Sequence, residues 1–424
     1  MLTVIIFILI LGLLVFVHEL GHFLVARRNG VEVEEFGFGF PPRVLGIYWN
    51  KKGERRVVWG NREIEPQTIP TQSRELRGKE IREAKNTIYS VNWIPLGGFV
   101  KITGEDGEPA CVKTSADDKS LADKSAGKKK GNPKSFASKT PFVRMKILAA
   151  GVAMNLLLAI GIFSLSFYLG VPQLAEEVSG GRVFNEKIQI VDVGKNTPAE
   201  AMGLRMGDEI AGAVVGDGNI QKFSTVEEVQ NFMKEKEGSQ VELMIQRGKE
   251  GLKLTGAPRA DFPEGEGPLG IGLAKTAEVR YPWYQAIWKG VEYTFSLTAT
   301  FFLFLGNLIW QLIVGRPVGM DVSGPVGIAV LTGQVAQLGF GYLLRFTAML
   351  SVNLAIINIL PIPALDGGRI LFILIEKIKG SPVSQKFEQR AHNLGFVLLI
   401  TLMVFVTVRD FMKFDLVEKI RNLL

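Results

Sequence analysis

The chain has 424 residues, of which 47% are apolar, with a formal net charge of +7 and a single cysteine. Several long uncharged stretches exclude an ordinary soluble protein, and one cysteine excludes an internal disulfide. The basic excess suits loops that lie against an anionic leaflet, so no nucleic-acid partner is needed to explain it. We therefore expect a polytopic α-helical membrane protein whose main surroundings are the lipid bilayer.

The first predicted span, residues 2–26, contains the motif HELGH at residues 18–22. Positions i and i+4 of a helix share one face, so His18 and His22 can bind one metal ion, with Glu19 beside them as a general base. This is the H-E-x-x-H pattern of zinc hydrolases. A buried ionisable group is costly in lipid, which favours a catalytic zinc centre over simple packing.

Residues 27–146 form a loop that is predicted to be cytoplasmic, because Lys and Arg outnumber Asp and Glu there. Two of its stretches, residues 37–42 and 93–102, are apolar, glycine-rich and strand-like. They predict a membrane-associated hairpin, which lipid tolerates only where protein shields the backbone. Residues 109–139 are polar and show no period, which predicts disorder.

A second span is predicted over residues 147–171, followed by a small soluble α+β domain at residues 172–280. Short strand patterns alternate there with turn signals, and residues 224–234 predict a short helix capped by Ser224. Acidic residues outnumber basic ones in this domain. It is therefore expected on the membrane face opposite to the first loop.

Residues 281–342 include an uncharged run, residues 293–314, that hydropathy alone would count as a further span. Its polar side chains share one sector of a helix, so we interpret it as an amphipathic helix along the outer interface. A spanning helix with its polar stripe against other helices is the alternative. The stripe consists of Lys289, Glu292, Ser296, Thr300, Asn307 and Gln311.

The third predicted span, residues 343–376, contains the candidate for a third zinc ligand, Asp366. Pro361 and Pro363 cannot both lie in a regular helix, which predicts an unwound segment at membrane depth. With four spans, Asp366 lies about 15 Å and His18 about 13 Å below the cytoplasmic boundary, hence at a similar depth. A helix cap is the competing interpretation of Asp366.

The last predicted span, residues 391–408, precedes a C-terminal tail at residues 409–424. His392, isolated at the start of this span, is interpreted as an interfacial residue. The complete prediction is about four transmembrane helices, a membrane-associated strand region and an inserted α+β domain.

These motifs resemble the site-2 protease family of intramembrane zinc metalloproteases, most closely its bacterial RseP-type branch. The matching stretches are residues 18–22, 95–101, 150–155, 323–328 and 353–368. The resemblance implies Zn2+ as cofactor, ligated by His18, His22 and Asp366, with Glu19 as catalytic base. Val152 departs from the family, which usually has proline there.

The resemblance also implies a substrate site at which the first-loop strand pairs with extended substrate backbone. Its residues would be Gly97, Gly98, Phe99 and Val100, with Asn353 and Asn358 contacting substrate near the metal. Either asparagine can instead bond backbone that the prolines leave free. The soluble domain resembles a single bacterial PDZ domain, where the best-known RseP-type proteases have two, and it would bind peptide ends or exclude bulky substrates.

The implied function is cleavage of transmembrane segments of single-span membrane proteins in regulated intramembrane proteolysis, for example anti-sigma factors or signal-peptide remnants. The implied location is a bacterial cytoplasmic membrane, with the N-terminus and the PDZ domain extracytoplasmic and the active site toward the cytoplasm. A non-catalytic PDZ-containing scaffold is the alternative, and it would tolerate loss of Glu19. A zinc transporter would need acidic and histidine residues repeated along a path, and the sequence has one such cluster.

Overall fold

The computed structural model describes residues 2–49, 53–60, 87–105, 133–170, 172–174, 182–215, 219–248, 250–263, 266–315, 323–381 and 383–413. The chain forms two compact units, one of residues 1–159, 296–329 and 349–424, the other of residues 160–295 and 330–348. Most of the segment predicted to be disordered and most of the C-terminal tail lie outside the described residues.

The helices, in chain order, are α1 (Leu2–Arg28), α2 (Pro141–Leu169), α3 (Pro198–Met202), α4 (Val226–Glu235), α5 (Trp283–Ile313), α6 (Pro325–Leu338), α7 (Phe340–Ile359), α8 (Asp366–Lys379) and α9 (Gln385–Lys413). Five of those described, α1, α2, α5, α7 and α9, are long and apolar enough to cross a membrane. The helical part is therefore that of a polytopic membrane protein.

The predicted number of four spans is not confirmed, because α5 also meets the length and composition of a span. Most of α5 is exposed. Its buried residues Ala286, Gly290 and Thr294 are spaced four apart, and Gly290 lies against Ser164 of α2. The predicted polar stripe lies off this buried face, since residues such as Ser296 are exposed.

The third predicted span is two helices, α7 and α8, separated by the non-helical residues 360–365. The predicted unwound segment is therefore confirmed. Pro361 and Pro363 fall within it, as their missing N–H groups require. Asp366 is the first residue of α8 rather than its N-cap, which is Leu365.

The first loop forms a sheet of β1 (Val33–Trp49), β2 (Arg55–Trp59) and β3 (Ile88–Ile102), in the order β2-β1-β3. Both stretches predicted to be strand-like are strands here. The long β1–β3 hairpin curls on itself, because Phe36 has both Val100 and Tyr89 as register partners. The segment around Val100 thus lies at one edge of the curled sheet.

The end of the segment predicted to be disordered is structured where it is described. A 3-10 turn, Phe136–Ser138, places Phe136 in a buried cluster with Phe23 and Ile147. The N–H of Phe136 also donates to Thr103 O at 2.8 Å. The expectation of disorder was therefore wrong for residues 133–139, because the isolated apolar residue Phe136 packs into a hydrophobic core.

The second unit contains a sheet of β4 (Pro172–Leu174), β5 (Arg182–Val193), β6 (Glu209–Val215), β7 (Asn219–Gln221), β8 (Val241–Arg247), β9 (Glu250–Gly256) and β10 (Ile271–Arg280). The strand order is β4-β10-β5-β6-β8-β9, and β7 pairs with β6. Its core includes Ile190, Leu243 and Val229. The predicted helix exists as α4, but its cap is Thr225 rather than Ser224, because Thr225 Oγ1 accepts from Glu228 N.

Candidate metal centre

Three side chains from two helices converge at one point. His18 and His22 lie one turn apart in α1, and Asp366 begins α8. Oδ2 of Asp366 lies 3.0 Å from Nε2 of His18 and 3.3 Å from Nε2 of His22, and the two Nε2 atoms are 3.1 Å apart. Both histidines are buried. The Asp366 carboxylate thus lies next to both imidazoles. This is the position that the sequence analysis expects for a third ligand.

The three donor atoms fit a zinc ion. Bonds of about 2.0–2.1 Å in a tetrahedral site separate the ligand atoms by about 3.3 Å. The separations of 3.0, 3.1 and 3.3 Å come close to that value. Two imidazoles and one carboxylate also match the donor sets of catalytic zinc sites, which leave a fourth position for water or substrate.

The backbone of α2 orients His22. Its Nδ1–H donates to the carbonyl oxygen of Ile147 at 2.9 Å. Because a neutral imidazole carries one proton, this bond leaves a lone pair on Nε2, the atom that faces Asp366. Metal-binding histidines commonly donate their second nitrogen to such an acceptor.

Helix α2 also provides a partner for Nδ1 of His18, the side-chain amide of Asn155. Its side-chain nitrogen lies 3.2 Å from His18 Nδ1, and its Oδ1 is buried with no hydrogen-bond partner among the described residues. Half a turn of the amide exchanges the two atoms. The oxygen then accepts from Nδ1–H, and the Nε2 lone pair of His18 is free to bind an ion.

Gly151 leaves the space that an ion needs. A Cβ at this position would lie 2.7 Å from His18 Cε1 and 2.8 Å from His18 Nε2, and nearer still to His22 Nε2. Any side chain there would therefore fill the space beside both donor nitrogens. Gly151 and Asn155 are four residues apart, so they share the face of α2 that meets the histidines.

Glu19 follows His18 in α1 and is half-buried. The β3 strand passes directly beside it, since a Cβ on Gly98 would lie 2.8 Å from Phe16 Cα and 3.0 Å from Glu19 Cβ. A Cβ on Gly97 would lie 2.5 Å from Val15 Cβ. These two glycines let the strand backbone reach the helix that carries the histidines. Phe99 and Val100 continue the same strand.

The two asparagines of α7 differ in position. Nδ2 of Asn358 lies 3.4 Å from Nε2 of His18, so this amide reaches the cluster. Oδ1 of Asn353 is buried and has no hydrogen-bond partner among the described residues. The structure thus brings Asn358 to the metal centre, whereas Asn353 lies more than one turn earlier in α7.

Sequence reasoning gave no role to the groups that orient the histidines. Gly151 and Asn155 were noted only as a family match, although their spacing of four places them on one helix face. The acceptor at Ile147 is a backbone carbonyl, so the pattern of side chains in the sequence cannot predict it. For His392, interpreted as an interfacial residue, the structure adds an internal contact, because its Nδ1 lies 3.1 Å from Ala364 N and accepts a hydrogen bond from it.

Comparison with known proteins gives one family. The model of peptidase family M50 matches residues 6–55 and 75–402. Among similar proteins, zinc metalloprotease RasP of Oceanobacillus iheyensis is 32% identical, over 97% of this chain and 99% of its own length. Zinc metalloprotease RasP of Geobacillus kaustophilus is 30% identical, over 98% and 99%. Regulator of sigma-W protease RasP of Bacillus subtilis is 30% identical, over 96% and 98%.

Proposed function

The chain belongs to peptidase family M50 and is a zinc metalloprotease, and from this premise we propose that it hydrolyses peptide bonds inside the membrane-spanning segments of single-span membrane proteins. The resemblance to site-2 proteases is confirmed by the family match. The observation that carries the proposal is the position of the donor atoms. His18 lies within α1, a helix apolar enough to cross a bilayer, so the chemistry would take place in the membrane.

We assign His18, His22 and Asp366 as the zinc ligands. Ile147 O and the amide of Asn155 would hold the two imidazoles in the tautomer that presents Nε2. When bound, zinc polarises the substrate carbonyl and makes a coordinated water acidic enough to supply hydroxide near neutral pH.

Glu19 is the proposed general base. Its carboxylate would take a proton from the attacking water and then deliver it to the nitrogen of the leaving amine. Glu19 lies near the proposed zinc ligands because it is the next residue after His18 in α1. The amide of Asn358 lies 3.4 Å from His18 Nε2 and would donate to the substrate carbonyl oxygen.

The substrate would bind as an added strand along β3. A helical segment hides its carbonyls in hydrogen bonds, so it must unwind before attack and needs replacement partners. Residues 98–100 pair with β1 on one side, and the described strands give no partner on the other. This free edge passes Glu19 at Gly97 and Gly98, and continues as Phe99 and Val100. Oδ1 of Asn353, which has no hydrogen-bond partner among the described residues, would accept from a substrate N–H.

Contacts within the first unit support a four-span arrangement in which α5 does not cross. Arg144, at the start of α2, forms an ion pair of 2.6 Å with Glu376 near the end of α8. Both therefore lie at one membrane face. Helix α2 takes the chain across the membrane once, away from the face of Arg144. The segment from α5 to α8 must therefore cross the membrane an odd number of times to bring Glu376 back to that face. One crossing by α7 and α8 together satisfies this.

The last helix supports the same arrangement. Asp410, near the end of α9, is 1% exposed and accepts from the N–H groups of Gly324 and Gly327 at the start of α6. The start of α9 lies beside Ala364, close to the metal centre. If α9 crosses, Gly324 lies at the opposite face from Arg144. Helix α5 would then begin and end at that face, along the interface.

We further propose that the protein resides in a bacterial cytoplasmic membrane, with the metal centre toward the cytoplasm. The excess of Lys and Arg in residues 27–146 supports this orientation. Residues 172–280 would be an extracytoplasmic PDZ domain that excludes substrates with bulky outer domains or binds peptide ends. One relative is named as a regulator of sigma-W protease, which makes anti-sigma factors or signal-peptide remnants the first substrate classes to try.

The test uses purified full-length protein in lipid vesicles with a single-span substrate. Glu19→Gln should keep its zinc, because residue 19 is not a ligand, and should lose cleavage by at least about a hundredfold. Mass spectrometry should locate the wild-type cut inside the apolar segment. Wild-type cleavage by Glu19→Gln would refute the role of Glu19, and a cut outside the apolar segment would refute intramembrane proteolysis.

A further inference from the structure

A second group of side chains lies behind Asp366, at the non-helical segment, residues 360–365, that joins α7 to α8. His392, near the start of α9, accepts at Nδ1 a hydrogen bond of 3.1 Å from Ala364 N. Ala364 lies two residues before Asp366 and has a φ of +82°, a left-handed conformation that is costly for a residue with a Cβ. Such a conformation persists only where the surroundings hold it, and the imidazole does so here.

The backbone of α9 supports the same segment one turn further on. Gly395 is packed so closely that a Cβ there would lie 2.6 Å from the carbonyl carbon of Pro363, and nearer still to its oxygen. His392 and Gly395 are three residues apart and therefore share one face of α9. This face backs Pro363 and Ala364, the two residues at the turn.

Arg369 of α8 approaches the other nitrogen of the His392 ring. Nε of Arg369, one turn after Asp366, lies 3.4 Å from His392 Nε2, and the guanidinium pairs with Glu105 at the end of β3. The backbone N–H of Ala364 and the Nε–H of Arg369 can both only donate, and a neutral imidazole has one lone pair, so only one of these two contacts can be a hydrogen bond. The Ala364 contact is the shorter, at 3.1 Å against 3.4 Å, so Nδ1 is the acceptor and the ring proton sits on Nε2.

We propose that His392 is a positioning residue of the metal centre, because its bond to Ala364 fixes the turn that delivers the Asp366 carboxylate to His18 and His22. The proposal rests on the assignment of Asp366 as a zinc ligand. Asp366 needs such support most, since it stands at a break between helices, while the histidines lie inside the continuous α1. Groups that orient ligands typically change metal affinity or activity by about 10- to 100-fold when lost.

The test compares two amides at position 392 in the full-length protein. The side-chain oxygen of Asn falls near the position of Nδ1, whereas the longer Gln carries its amide to the position of Nε2. Zinc affinity is measured by competition with a chromogenic chelator, and kcat and KM on a single-span substrate. We expect H392Q and H392L to bind zinc about tenfold or more weakly and to lose kcat with little change in KM, and H392N to stay within about threefold of wild type.

Leu394→Ala is the matched control on α9, because Leu394 is 62% exposed, and it should leave zinc affinity unchanged. If H392L does not fold, as judged by thermal melting and gel filtration, the Asn and Gln variants decide. Wild-type zinc affinity in H392Q, or affinity in H392N as weak as in H392Q, would overturn the proposal. Asp366→Ala in the same assay separates the two ideas, since zinc retained there refutes the ligand assignment itself.

Discussion

At the scale of single residues, the metal centre depends on hydrogen-bond partners for the polar side chains that are buried in an apolar helix. His18 and His22 are buried in α1, and each imidazole has a partner for Nδ1 on α2, Asn155 for one and Ile147 O for the other. A buried polar group without such a partner costs roughly 1–3 kcal/mol. Because both are satisfied from α2, the two Nε2 atoms remain directed at Asp366.

The first prediction concerns the space beside those nitrogens. Gly151→Ala should reduce bound zinc to well below half an equivalent, because the added methyl group would lie 2.7 Å from His18 Cε1 and clash with both imidazoles. Gly161→Ala is the control on the same helix, where a Cβ would meet nothing within 4 Å. Metal analysis of the two purified proteins checks this. Equal zinc in both would show that the space at Gly151 is not used by the ion.

At the scale of elements, the curled hairpin and the broken span bring distant parts of the chain to one place. β3 reaches α1 through Gly97 and Gly98, and α8 starts at the point where the chain leaves residues 360–365. Neither element would suit open lipid, because strand edges and non-helical turns leave backbone groups unpaired. Their neighbours supply the missing partners, as His392 does for Ala364.

The second prediction tests β3 as the substrate strand. Gly98→Ala should lower cleavage of a single-span substrate by about tenfold or more while zinc content stays at the wild-type level, because the methyl group would lie 2.8 Å from Phe16 Cα and push the strand edge away from Glu19. Gly12→Ala also faces the hairpin, but at 3.6 Å from Phe38 Cζ, and should be tolerated. Wild-type cleavage by Gly98→Ala would remove this strand from the substrate site.

At the scale of the whole molecule, the sequence predicted which side chains converge better than it predicted the number of spans. His18, His22 and Asp366 were predictable because helical spacing, proline chemistry and depth all depend on local sequence. The number of spans was not, because hydropathy cannot distinguish a helix that crosses from one that lies along the surface. The partners His392 and Asn155 depend on tertiary packing, which leaves no periodic signal.

The third prediction tests that topology by thiol labelling. In a Cys111→Ser background, single cysteines are placed at three exposed positions, Arg55 in β2, Ile220 in β7 and Lys379 at the end of α8. With α5 on the surface, a membrane-impermeant maleimide should label positions 55 and 379 from the same side in sealed vesicles, and position 220 from the other. Labelling of position 379 together with position 220 would show that α5 also crosses.

The most direct measurement of the central claim is zinc analysis of purified Asp366→Ala beside wild type and Glu19→Gln. The carboxylate oxygen lies 3.0 and 3.3 Å from the two imidazole nitrogens, so the account predicts about one zinc per chain in wild type and Glu19→Gln, and little in Asp366→Ala. A full equivalent of zinc in a folded Asp366→Ala protein would contradict it.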